Sequence, residues 1–203
     1  MDRRVPSTRA ALHLEIVLLR YYITDRSQVP NGDLRPYLER AVDDGVDLIQ
    51  IREKDLSARD LLTLTRLAVT IAQGSSTRIL VNGRADIVIA ATAHGLHLPS
   101  DAPQPGRFRA FLPVESLIGV SCHSVADLQR AENEGANFAV FGPVFESPGK
   151  GRGVGLEQLR EAVAATNLPV IALGGITPDR ANACIEAGAA GFAGIRLFQV
   201  LYR

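Results

Sequence analysis

The sequence predicts a single-domain α/β protein, a (β/α)8 TIM barrel. Three observations predict it. Eight short apolar runs are spread along the 203 residues, most of them continuous rather than alternating, as strands buried on both faces should be. Helix-like stretches separate many of these runs. The first run ends in YYITDR, without the glycine-rich turn that usually follows the first strand of a doubly wound open sheet.

The runs, in order, are Leu19 to Ile23, Leu48 to Ile51, Ile79 to Val81, Gly95 to Leu98, Leu117 to Val120, Phe138 to Phe141, Val170 to Leu173 and Gly191 to Ile195. Between the first two, DLRPYLERAVDDG places Leu34, Leu38, Ala41 and Val42 on one helical face and stops at Gly45. The next helix opens at Ser57, a plausible N-cap, and closes at Gly74. Ser124 and Gly135 bracket another. Thr177 as N-cap, Pro178 at the first helical position and Gly188 as terminator mark a fourth. The connections on either side of Gly95 to Leu98 carry the weakest helical signals. Residues 1–16 are expected to form an extension that frays or packs on the domain, with the barrel in 17–203. With the sequence ending at Arg203, any helix after the eighth strand should be very short. A second copy could then cover the apolar surface left there, so a homo-oligomer is expected.

Composition narrows the function classes. Hydrophobic residues make up 46% and charged residues 22%, and 22 Lys plus Arg balance 22 Asp plus Glu. A neutral chain gives no support to nucleic-acid or anionic-membrane partners. No segment reaches the roughly 18 apolar residues of a membrane span. His13 and Glu15 interrupt the only stretch that loosely resembles a signal peptide. Two cysteines, Cys122 and Cys184, are too few for a disulfide framework, so a cytoplasmic setting is expected.

In such a barrel the chemistry sits at the C-terminal ends of the strands, and these positions are crowded with polar residues and glycines. LGGITPDR puts Gly174 and Gly175 between a strand and a helix N-terminus. That is an anion site in waiting, since free N–H groups converge there and glycine allows close approach; the alternative is a tight turn without a ligand. QIREKD sets Gln50, Arg52 and Lys54 at alternate positions, hence on one side of a strand. They would meet an anionic substrate or pair internally with Asp25, Glu53 or Asp55. GPVFESPGKGRGVG, with Lys150 and Arg152, reads as a flexible basic lid or as a plain surface loop. His123 suits acid–base work at neutral pH, unless it is a structural histidine. Cys122, beside it in sequence, should point the other way and is discounted as a nucleophile. Asn82-Gly83 is either a hairpin turn or a strand end at an active site.

Taken together, YYITDR, GVDLIQIREKD, GLHL, IGVSCHS, GANFAVFGPVFESPGKGRGVGLEQL and LPVIALGGITPDR resemble one family over roughly Tyr21 to Phe198. It is the family of thiamine phosphate synthase and its sibling, the TenI-type thiazole tautomerase. The resemblance implies a role in thiamine biosynthesis, a small phosphorylated thiazole substrate, and phosphate held by Gly174, Gly175, Gly194 and Ile195. It also implies substrate contacts from Gln50, Arg52, Lys54, Asn82 and Lys150. Family synthases hold Mg²⁺ on an aspartate after strand three and another after strand four. Here Gly83 and Ala102 stand at those places, with Asp101 one residue early. NGR, LPS and GRGV resemble the tautomerase instead. That enzyme aromatises a carboxythiazole phosphate by proton transfer, with no metal or other cofactor, and the resemblance makes His123 its acid–base group. Mg²⁺ would be needed only by the alternative, a synthase joining hydroxymethylpyrimidine diphosphate to thiazole phosphate. A non-catalytic binder of thiazole or thiamine phosphates that regulates a partner is the third reading. Arg196 stands where the family usually has serine or another small residue.

Overall fold

A computed structural model of the chain describes residues 18–147 and 151–201. The extension expected over residues 1–16 and the predicted contact Lys150 lie outside them. Eight strands form a closed barrel in sequence order. They are β1 (Leu19–Ile23), β2 (Leu48–Ile51), β3 (Arg78–Asn82), β4 (Gly95–Leu98), β5 (Leu117–Cys122), β6 (Phe138–Phe141), β7 (Val170–Leu173) and β8 (Gly191–Gly194). Every neighbouring pair is parallel, and β8 closes onto β1 with Leu19 opposite Gly191 and Tyr22 opposite Gly194.

Among the described residues seven α-helices return the chain between strands and an eighth follows β8. They are α1 (Arg35–Asp43), α2 (Ala58–Ile71), α3 (Ala85–Ala91), α4 (Pro105–Arg109), α5 (Val125–Asn133), α6 (Gly155–Ala164), α7 (Pro178–Glu186) and α8 (Arg196–Leu201). The three predicted caps form. The hydroxyls of Ser57, Ser124 and Thr177 accept from the N–H groups of Asp60, Asp127 and Arg180, satisfying N–H groups the helix leaves unpaired. The weak signals beside β4 correspond to α3 and to α4, the latter only five residues long. Six residues of α8 are described.

Alternation along each strand divides the apolar residues between two layers. Leu19, Tyr21, Ile23, Leu48, Leu80, Phe138, Val140, Ile171 and Ala193 pack together as one cluster inside the barrel. Their strand neighbours Tyr22, Ile49, Ile51, Ile79, Val81, Leu96 and Ile118 pack outward with the helices. Both faces are therefore dry, which is why the runs read as continuous rather than alternating. No helix among the described residues is long and apolar enough to cross a membrane.

Candidate active site

The strand ends open into one cavity of about 790 Å³. Gln50 of β2, Arg52 and Lys54 just beyond it, Asn82 at the end of β3, His123 after β5, Gly174 and Gly175 after β7, and Gly194 and Ile195 at the end of β8 all line it. Nine residues singled out along 146 positions of sequence thus converge on one mouth, because each lies at or just beyond the C-terminal end of a strand of the same parallel barrel.

Asn82-Gly83 is no hairpin. Asn82 ends β3, Gly83 alone takes a positive φ, of 66°, and its N–H donates to the His97 carbonyl at 2.9 Å. A type I′ turn needs positive φ at both central residues.

The carboxylates that might have neutralised Arg52 and Lys54 are engaged elsewhere. The Thr24 hydroxyl donates to Glu53 at 2.5 Å, and the Arg26 N–H donates to the same carboxylate at 3.0 Å. Asp55 pairs with the Arg26 guanidinium. Asp25 accepts from the Ser27 hydroxyl at 2.6 Å and from the Gln28 amide at 2.5 Å. Burial pushes the Asp25 carboxyl up, but these bonds and the nearby Arg52 charge outweigh it and hold the carboxyl below its ordinary range. Among the described residues neither Arg52 nor Lys54 joins an ion pair within 4.0 Å. Both sit at the mouth, Arg52 half-buried and Lys54 exposed. The two cations are placed for an anion in the cavity.

His123 is anchored from one side. Its Nδ1 lies 2.5 Å from the Gly142 carbonyl, and its own N–H donates to Asp127 at 3.0 Å. A carbonyl can only accept, so Nδ1 carries the proton. In the neutral ring Nε2 is then the basic nitrogen. Cys122 is buried, and burial pushes its thiol up to about 12, which leaves it no nucleophilic thiolate at neutral pH.

The glycine-rich loop between β6 and α6 is hydrogen-bonded at both of its feet. Val144 N–H donates to Leu173 O at 2.7 Å and Phe145 N–H to Gly174 O at 3.0 Å, extending the pairing of β6 with β7. Val154 N–H returns to Pro143 O at 2.9 Å and Gly155 N–H to Val144 O at 2.8 Å. These bonds fix the two feet of the loop, and its tip at Lys150 lies outside the described residues. Arg152 is exposed and does not line the cavity.

Sequence reasoning passed over Arg180 and marked Arg196 only as a departure from the resembled family. Both line the cavity beside the predicted phosphate glycines. Arg180 donates to Gly175 O at 2.8 Å and lies 4.8 Å over the Phe145 ring, while Arg196 donates to the Gln28 amide oxygen at 3.3 Å. Arg180 follows the cap at an interval that marks it as first-turn, a signal available but unread. Ser121 faces the cavity and His97 stands behind it, its Nε2 at 2.9 Å from the Ser121 hydroxyl oxygen.

His97 is 2% exposed, and burial, helped by Arg52, pushes its imidazole down to about 3. His94 is also lowered, by burial and then by Arg78, and its Nδ1 accepts the Ile79 N–H at 2.9 Å. Both are neutral in the native state, whereas an unfolded histidine titrates near 6.5. Their contribution to stability is therefore present above pH 6.5 and is lost as pH falls below it, for His97 down toward 3. Between pH 7 and 5, His97 alone should cost roughly 2 kcal/mol of unfolding free energy. Urea denaturation at the two pH values checks this. Equal midpoints would contradict it, and His97→Gln should flatten the dependence.

Magnesium was implied for one branch of the resembled family, and the residues at that corner do not fit it. A hard divalent cation takes several oxygen ligands. Gly83 offers no side-chain oxygen, Ala102 none, and Asp101 is the lone carboxylate of the β4 end that lines the cavity. No group of three or more His, Cys, Asp or Glu residues is placed to hold a metal among the described residues.

Fold and site together define a (β/α)8-barrel enzyme whose C-terminal mouth is built around cations, glycine turns and one anchored histidine. The chain belongs to the thiamine monophosphate synthase family, an enzyme family of thiamine biosynthesis, whose pattern matches residues 20–198. It is 39% identical over 177 residues to the thiamine-phosphate synthase of Methanoculleus marisnigri, covering 85% of this chain and 83% of that one. A Geobacter sulfurreducens relative, 42% identical over 176 residues and covering 85% and 83%, carries the thiamine-phosphate synthase name provisionally. Thiamine phosphate pyrophosphorylase from Pyrococcus furiosus superimposes with a TM-score of 0.81 at 28% identity, over 90% of this chain and 88% of that one.

Proposed function

We propose that this family member is a metal-independent thiazole tautomerase that aromatises a carboxythiazole phosphate. The observation that carries the reading is the end of β3, where Gly83 stands in place of a metal-binding carboxylate while His123 remains anchored through Nδ1. With Nδ1 bound to Gly142, Nε2 takes a proton from the thiazole ring and returns one to the exocyclic carbon, and the imidazole keeps its anchor in both charge states. Gly174, Gly175, Gly194 and Ile195 receive the phosphate, with Arg180 and Arg196 beside them. Arg52 and Lys54 face the carboxylate, with Gln50, Asn82 and Lys150 as further contacts. A cytoplasmic setting and a homo-oligomer belong to this reading.

The second reading is a Mg²⁺-dependent thiamine phosphate synthase, and the names carried by the relatives favour it. A coupling assay decides between them. Pure protein, hydroxymethylpyrimidine diphosphate, thiazole phosphate and Mg²⁺ are mixed, with an active synthase run alongside. We expect no thiamine phosphate from this protein and turnover in the aromatisation assay. Robust, chelator-sensitive coupling would establish the synthase instead. Binding of thiazole phosphate with turnover in neither assay would leave the regulatory binder.

A further inference from the structure

Inside the barrel, below the cavity floor, four polar side chains form an unbroken chain. The Gln50 amide nitrogen donates to the Tyr21 hydroxyl at 3.0 Å, the hydroxyl lies 3.1 Å from His97 Nδ1, and His97 Nε2 lies 2.9 Å from the Ser121 hydroxyl oxygen. The chain runs through β2, β1, β4 and β5, and both of its ends, Gln50 and Ser121, line the cavity. Its middle is sealed, with Tyr21 0% and His97 2% exposed. Phe138 packs edge-on against Tyr21 at 5.7 Å and tilted against His97 at 6.4 Å between ring centroids. Neither ring can turn without displacing a core residue.

The inventory of donors sets a direction along this chain. A Gln amide nitrogen only donates, so Tyr21 accepts there and must spend its single hydrogen on His97 Nδ1. A neutral His97 then carries its proton on Nε2 and donates to Ser121. The Ser121 hydrogen is left over, and it faces the cavity. At the other end the Gln50 oxygen makes no bond to another described residue.

We propose that Tyr21 and His97 are positioning residues that wire Gln50 to Ser121, so that Ser121 meets the ligand as a hydrogen-bond donor and Gln50 meets it as an acceptor. This rests on the cavity being the ligand site, and it adds a selection rule. The favoured ligand presents a lone pair to β5, as the ring nitrogen or carboxylate of carboxythiazole phosphate can, and turns whatever N–H or O–H it carries toward β2. A ligand of opposite pattern must reverse every bond in the buried chain or leave a donor unpaired, which is costly in a dry site.

Two measurements test the wiring. The first needs neither ligand nor variant. Nitrogen-15 NMR of the folded protein should show His97 protonated on Nε2 with Nδ1 hydrogen-bonded; protonation on Nδ1 would overturn the proposal. The second is a double-substitution cycle read as the affinity for carboxythiazole phosphate. Tyr21→Phe and Ser121→Ala should each weaken binding roughly tenfold. Together they should weaken it no further than the worse single change, because each breaks the same chain. Losses that multiply to about a hundredfold would show a merely structural tyrosine and overturn the proposal. If the native protein fails to bind that compound, the proposed function falls, and the His97 tautomer alone decides the wiring.

Discussion

Replacing His123 with alanine should lower the aromatisation rate by about a hundredfold to ten-thousandfold, the usual range for a positioned acid–base group. Product affinity should change little, since the imidazole is assigned to proton transfer rather than to binding. His123 is exposed at the mouth, so the substitution leaves the core intact. His123→Asn is the sharper variant. Its amide can still donate to the Gly142 carbonyl, which His123 now meets at 2.5 Å, but it cannot carry a proton back and forth. Steady-state rates for both variants check the assignment. If His123→Asn loses the rate as fully as His123→Ala while circular dichroism stays native, the proton relay is the lost element. Retained turnover in either would place the base elsewhere.

Replacing Gly175 with alanine should be the most damaging single change at the phosphate corner. Gly175 has φ 63°, and a Cβ there would lie 2.5 Å from the Glu146 carbonyl oxygen and 2.8 Å from Phe145 Cβ. The left-handed backbone costs an L-residue about 1–2 kcal/mol, and the overlap adds about 1–3 kcal/mol. The clash also falls on the segment whose Phe145 N–H is bound to Gly174 O, so relief must move the loop that walls the cavity. We expect stability to fall by about 2–5 kcal/mol and affinity for thiazole phosphate to fall about a hundredfold or more. Urea denaturation and calorimetric titration measure the two separately. Unchanged affinity with reduced stability would remove Gly175 from the phosphate site.

The strands were legible because most of the runs are buried on both faces, so that apolar character was nearly unbroken from Leu48 to Ile51 or Val170 to Leu173. Three helix starts were legible because Ser57, Ser124 and Thr177 act over three residues, a distance that sequence displays directly. The convergence of Gln50, His123 and Gly174 followed from topology alone, since each lies at or just beyond the C-terminal end of a strand. What stayed hidden depends on contacts across the barrel. Tyr21 and His97 are 76 positions apart, and nothing local marks either as part of a chain. The anchoring of Val144 and Phe145 depends on Leu173 and Gly174, which a composition rich in glycine and basic residues conceals. The side pairing of Asp25, Glu53 and Asp55 was likewise open in sequence, because three carboxylates near two cations have several possible partners and only the folded loops choose.

Gly83 has one further consequence, for ancestry rather than mechanism. An added Cβ would find only Pro99 Cδ, at 4.0 Å, and aspartate and asparagine are among the few side chains that tolerate a left-handed backbone. The turn after β3 can therefore take an aspartate without moving the main chain. At this corner the scaffold accepts glycine or aspartate alike. Lineages on this barrel can gain or shed a carboxylate there while every strand stays where it is.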